Sequence, residues 1–169
     1  PVNLGSFGKI ASALPGLLGE VRRTVDEDLA PLLVAGPPST AAELARGLAQ
    51  GGDPELVREV SVGSLGEIAE AAALVYVIEV ALTPTDERSL QAADRRGVPL
   101  VALVLAENGA RQDVLPYVRA TDVVRAATVP EGLAPVAERV AARAGEAAWK
   151  LASRLPVLRR PVAEAIVRR

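Results

Sequence analysis

The chain contains no cysteine, no histidine and no methionine. The first two absences remove thiol nucleophiles, disulfides, thiolate metal sites and the usual imidazole general base. Any catalysis would run on carboxylates, hydroxyls, lysine or backbone groups. Lysine itself occurs only as Lys9 and Lys150, so arginine supplies nearly all the positive charge. Aromatic residues make up 2% of the sequence, which leaves a core of Val, Leu, Ile and Ala. No stretch approaches the ~18 apolar residues of a membrane-spanning helix, and no secretory signal is visible. The sequence begins at Pro1 without a Met, and we expect it to be a piece of a longer protein. Its Arg- and Ala-rich usage, without Cys or Met, points to a GC-rich genome and toward a thermophile.

What is present fits one domain. The chain has 169 residues, and 50% of them are hydrophobic, enough for a sizeable core. A net charge of −2 argues against a whole-domain electrostatic grip on nucleic acid.

Leu14, Leu17, Leu18, Val21, Val25 and Leu29 recur at helical spacing and predict an amphipathic helix over 10–29. Residues 32–35 form a short buried-strand run, stopped by Gly36, Pro37 and Pro38. Thr40-Ala41-Ala42-Glu43 reads as a capping box opening a helix to about Gln50. Alternation over 56–62 predicts an outer strand, followed by a short helix over 65–72. Residues 74–80 and 99–105 are strongly apolar and predict central strands, with a helix between them capped by Thr85 and ending near Gly97. A helix through Val114 and Tyr117, a strand over 123–127 and a long helical pattern from Glu131 to Leu151 follow. Pro156 interrupts that pattern before a last helix over 157–169.

Strands alternating with helices mean βαβ units. The expected fold is therefore a three-layer, doubly wound α/β domain with a mainly parallel five-stranded sheet. Three segments are expected: an N-terminal helix over 1–30, the α/β domain over 31–155, and a basic helix over 156–169. Residues 1–30 and 131–155 are expected to pack together, and Trp149 to pack the last helix on the sheet or the first helix.

In an open parallel sheet, ligands bind beyond the carboxyl ends of the strands. The first such connection runs from Gly36 to Glu43, where a phosphate loop belongs. That loop needs G-x-x-x-x-G-K-[ST]: bare amides, a lysine for the phosphates and a hydroxyl for magnesium. Gly36 matches the opening glycine, but Ala41, Ala42 and Glu43 stand where the second glycine, the lysine and the hydroxyl should be. Pro37 and Pro38 remove two amide donors.

The order of elements, with LVYVIEVALTPTDERSLQAADRRGVPLVALVLAENG over 74–109 as its most telling stretch, resembles an Era-type small GTPase domain. The antiparallel strand of that family is missing, and the remaining order is the flavodoxin-like 2-1-3-4-5. The resemblance places the γ-phosphate-sensing D-x-x-G on Gly63-Ser64-Leu65-Gly66, without its Asp. It places the guanine-reading N-K-x-D on Ala106-Glu107-Asn108-Gly109, without its Asn, Lys or Asp, and the S-A-K loop on Ala126-Ala127-Thr128. WKLASRLPVLRRPVAEAIVRR at 149–169 resembles the junction at which a bacterial GTPase domain of this type precedes a membrane-associated domain of unknown function. The resemblance implies a cytoplasmic domain at the inner face of the membrane.

The candidate binding residues are Gly36, Ser39 and Thr40 in the degenerate phosphate loop, and Glu107 and Asn108 after the central strand. The bland alternative makes 36–40 a Pro-rich turn and 107–108 a polar cap on a buried strand. Glu79, inside an apolar strand, is either a carboxylate of raised pKa or a solvent-facing strand end. Thr83, Thr85, Asp86 and Glu87 read more simply as turn and cap than as a metal cluster. Catalytic and metal residues are not assigned, and no cofactor is expected. The leading expectation is a pseudo-GTPase that binds a protein partner through its carboxyl-edge loops. The alternative is a GTP- or ATP-binding protein using backbone groups and Arg46 or Arg58. An enzyme on the flavodoxin-like sheet would draw on Ser39, Thr40, Glu79, Thr83 and Glu107. The C-terminal arginines fit either an anionic membrane surface or a solvated helix face.

Overall fold

The computed structural model describes residues 29–61, 70–80, 82–105 and 118–168. Five strands form one sheet: β1 (Leu32–Ala35), β2 (Val57–Glu59), β3 (Ala73–Ile78), β4 (Leu100–Val104) and β5 (Val123–Arg125). Every pairing is parallel, and the order is β2-β1-β3-β4-β5. The expected three-layer α/β fold is found. The helices are α1 (Pro38–Ala49), α2 (Pro84–Arg95), α3 (Val129–Ala144), α4 (Glu146–Ala152) and α5 (Arg159–Val167).

Alternation along each strand explains the two layers. Leu32, Val34, Val75, Val77, Val101 and Leu103 face one side, with Leu44 and Leu48 of α1, Val136 and Val140 of α3, and Leu151 of α4. Leu33, Leu74, Tyr76, Leu100 and Val104 face the other, with Leu90 and Ala93 of α2. Both faces are covered, so β1, β3 and β4 are buried along their whole length and read as unbroken apolar runs. β2 lies at the edge, and its Arg58 and Glu59 are exposed.

Four local expectations are corrected. α1 opens at Pro38 and not after Thr40, so no capping box forms there. Proline already has the helical φ, and its missing N–H costs nothing in a first turn, so Pro38 starts the helix early. The Thr40 hydroxyl instead donates to the Pro37 carbonyl at 3.1 Å. α2 is capped by Thr83 and not Thr85: Thr83 accepts from the Asp86 amide, and the Asp86 carboxylate reaches back to the Thr83 amide. The pattern over 131–151 is two helices, because Gly145 at φ +56 breaks it. α3 begins at Val129 behind a Thr128 cap, two residues before Glu131.

The core runs past residue 155. Leu155 and Leu158 are fully buried and Val162 nearly so, in the same cluster as α1 and α3. The Asp53 amide donates to the Arg154 carbonyl at 3.0 Å, tying the α1–β2 connection to the turn after α4. Trp149 is half-buried against this cluster and lines a cleft between α3 and α5. Leu29 and Ala30 also pack on it. The remainder of the expected first helix, and the expected helices over 65–72 and through Val114 and Tyr117, lie largely outside the described residues.

Candidate site at the switch point of the sheet

β1 and β3 are neighbours, yet the chain leaves them toward opposite faces: β1 leads into α1, β3 into α2. Two adjacent strands diverging in this way open a crevice at their carboxyl ends, the usual ligand site of such sheets. Here it is a cleft of about 370 Å³. Gly36 and Pro37 line it from β1, Glu79 and Val80 from β3, and Thr83 and Asp86 from the head of α2.

Gly36 is fixed by packing. Its φ is +139, and a Cβ there would lie 2.6 Å from the Val77 carbonyl oxygen. β1 therefore turns hard against β3, and only two residues, Gly36 and Pro37, separate it from α1. The four residues that would wrap a phosphate between the two glycines of a phosphate loop are here largely the first turn of a helix. Ala41, in the position of the second glycine, is buried in the core.

The head of α2 is held by one carboxylate. Asp86 Oδ1 accepts the Tyr76 hydroxyl, and Oδ2 accepts the Thr83 amide and the Thr83 hydroxyl, both at 2.8 Å. Tyr76 is 1% exposed, and burial pushes its phenol far above its ordinary range, with the Asp86 hydrogen bond and charge adding to the shift. The phenol stays protonated and acts as a fixed donor. Both Asp86 oxygens are thus engaged internally, which makes this residue a clip between β3 and α2.

Glu79 is exposed at the end of β3. Val80 beside it is 74% exposed. Among the described residues lining the cleft, the charged ones are Glu79 and Asp86, and neither arginine nor lysine faces them. Among the described residues the wall presents two carboxylates, which disfavour a triphosphate there.

Gly36 and Glu79 are brought together here; Ser39 and Thr40 sit on the first turn of α1 and do not line the cleft. Arg46 is exposed near the end of α1, and Arg58 donates from Nε to the Glu55 carbonyl at 3.2 Å. Neither lines the cleft. Glu107 and Asn108, like Gly63 to Gly66, lie outside the described residues. Sequence reasoning missed the Tyr76–Asp86 bond. The signal was a tyrosine inside an apolar strand, whose hydroxyl needs a partner once buried.

A second charged group was not foreseen. Asp122, just before β5, is 4% exposed, and its Oδ2 lies 3.5 Å from Nε of Arg143 on α3. Burial raises its carboxyl above the ordinary range, against the opposing pull of Arg143, Arg139 and Arg119. This pair sits at the amino edge, away from the cleft. Among the C-terminal cations, Arg159 caps α4 by donating to the Ala152 and Ser153 carbonyls, and Arg160 pairs with Glu164 at 3.1 Å. Among the described residues, no helix is long and apolar enough to cross a membrane.

No protein-family model matches the chain, and no curated protein matches it significantly. Among solved structures it is similar to the Vibrio vulnificus NanR protein complexed with ManNAc-6P, at 14% identity and a TM-score of 0.43. That match covers 86% of this chain and 58% of the NanR chain, so this chain spans well under two thirds of its length. A likeness at that level says nothing about function.

Proposed function

We propose that this is a pseudo-GTPase domain, a scaffold that binds a protein partner through the carboxyl edge of its sheet and serves a membrane-associated neighbour. The observation that carries the reading is the cleft itself. It combines an exposed valine with acidic charge, a surface suited to an apolar, cationic side-chain group and unsuited to phosphate. The sheet order supports the Era-type ancestry, since it is that family's order less the antiparallel strand. The tight Gly36-Pro37 connection supports the loss of nucleotide binding. The competing reading is a non-standard nucleotide site at the Ser39 and Thr40 amides, which have no intrahelical acceptor at the head of α1.

A photo-crosslinking amino acid at position 80, in the longest natural form of the protein in its own cells, tests this. A protein adduct from position 80, and none from position 95 at the opposite edge, is the expected result. No adduct from position 80, together with saturable GTP or ATP binding by calorimetry, would overturn it.

A further inference from the structure

Leu29 and Ala30 pack on the cluster shared by α1, α3 and α4, just before β1 enters the sheet at Leu32. β1 starts at the amino edge. α3 leaves β5 at the carboxyl edge and runs back, so its last residue, Ala144, also reaches the amino edge, and α4 follows directly after Gly145. α1 runs back in the same way, and the Asp53 amide beyond it donates to the Arg154 carbonyl beyond α4. α4 is thereby tied to the amino edge at both ends, on the face that receives Leu29. Its Ala148 and Leu151 are fully buried, whereas Ala144, Ala147 and Trp149 are only half-buried. Exposed Arg143 and Lys150 flank them.

We propose that the stretch over 14–25 of this same chain seats its apolar stripe, Leu14, Leu17, Leu18, Val21 and Val25, on the α4 surface, against Ala147 and Trp149. The proposal stands apart from the reading of the carboxyl-edge cleft. Three observations favour this occupant. Leu29 is the last member of the same helically spaced stripe, and it is packed on the cluster already. Val25 lies only four residues before that anchor, so the stripe is held next to the α4 surface at a high effective concentration, ahead of any separate molecule. The contact also brings Asp26, Glu27 and Asp28 beside Arg143 and Lys150, charges of complementary sign. Trp149 offers the largest apolar side chain on that surface, and covering it removes apolar area from water on both partners. Seated there, the stretch closes the amino edge to other partners.

The test places a photo-crosslinking amino acid at position 21 of the dilute 169-residue chain and maps the adducts by peptide mass spectrometry. The expected adduct is intramolecular and falls within 144–153, with none there from position 23, on the opposite side of the stripe. An adduct of doubled mass, an adduct at the carboxyl edge, or no adduct from position 21 overturns the proposal. Trp149 is the only tryptophan, so its fluorescence reads the same contact independently. Val21→Asp should shift its emission to the red and open it to acrylamide quenching, and Arg23→Gln should leave both as in the wild type. A Trp149 signal indifferent to Val21→Asp overturns the proposal as well. So does binding of the wild type to phosphatidylserine vesicles that Val21→Asp abolishes while Trp149 stays unmoved, which would assign the stripe to a membrane surface.

Discussion

Two buried or half-buried aspartates, at opposite edges of one sheet, are treated in opposite ways. At the carboxyl edge Asp86 accepts three hydrogen bonds, from Tyr76 and twice from Thr83, and holds α2 onto β3. At the amino edge Asp122 is more deeply buried, faces Arg143 at 3.5 Å, and its Oδ2 accepts no hydrogen bond. Burial raises its carboxyl above the usual range. Burial depth alone therefore does not rank a charged side chain's structural value. What decides it is how many donors meet the carboxylate as it leaves water.

The carboxyl edge should break hardest at Gly36. Gly36→Ala places a Cβ 2.6 Å from the Val77 carbonyl, at a φ of +139 that other residues rarely adopt. The contact is with strand backbone, which cannot swing aside. We expect a loss of about 3 kcal/mol or more in denaturant unfolding. A loss below ~1 kcal/mol would mean that β1 and β3 separate easily, and that the cleft is not preformed.

The clip comes next. Asp86→Ala removes the α2 capping partner and leaves the Tyr76 hydroxyl buried without its acceptor, at a cost of about 2–3 kcal/mol. Tyr76→Phe deletes only the donor, and the half-buried carboxylate keeps Thr83, so about 1–2 kcal/mol should be lost. The two losses should not add in the double variant, because they share one bond. Additive losses would show that the Tyr76 hydroxyl contributes through a partner other than Asp86, such as the neighbouring Ser89.

The sheet was legible because its apolar runs are nearly free of polar residues. Residues 32–35, 74–78 and 100–104 carry no charge, and a strand covered on both faces requires that. Helix starts were less legible. Thr40 and Thr85 each carry a cap's chemistry, but the structure uses Pro38 and Thr83-Pro84, since a proline at N1 sets the start more firmly than a nearby hydroxyl. The break at Gly145 was hidden because Val140, Ala144, Ala148 and Leu151 keep helical spacing across it. Of the candidate site, Gly36 and Glu79 were singled out and do share one cleft. Val80 was passed over, because exposure of a strand-end valine depends on where the sheet stops. Asp122 could not be found at all. Nothing near it in the sequence signals that Arg143, 21 positions later on α3, returns to its side.

The smallest effect, and the one of opposite sign, belongs to Asp122. A carboxyl whose folded pKa is raised takes up its proton in the folded state first. Its favourable contribution is complete below the ordinary value of 3.8 and is lost as pH rises through the folded pKa. At neutral pH the ionised, buried group is therefore a liability, offset in part by Arg143. Asp122→Asn keeps the shape and removes the titration. At pH 7 the variant should equal or exceed the wild type by less than about 1 kcal/mol, where Asp86→Ala loses stability outright. On acidification toward the carboxylate range the wild type should gain on the variant until the gap closes or reverses. Urea unfolding of both proteins across that range reads the gap directly. If the wild type instead loses ground to Asp122→Asn as the pH falls, attraction to Arg143, Arg139 and Arg119 outweighs the cost of burial. The contrast between the two aspartates would then be one of degree, with both edges held by charge.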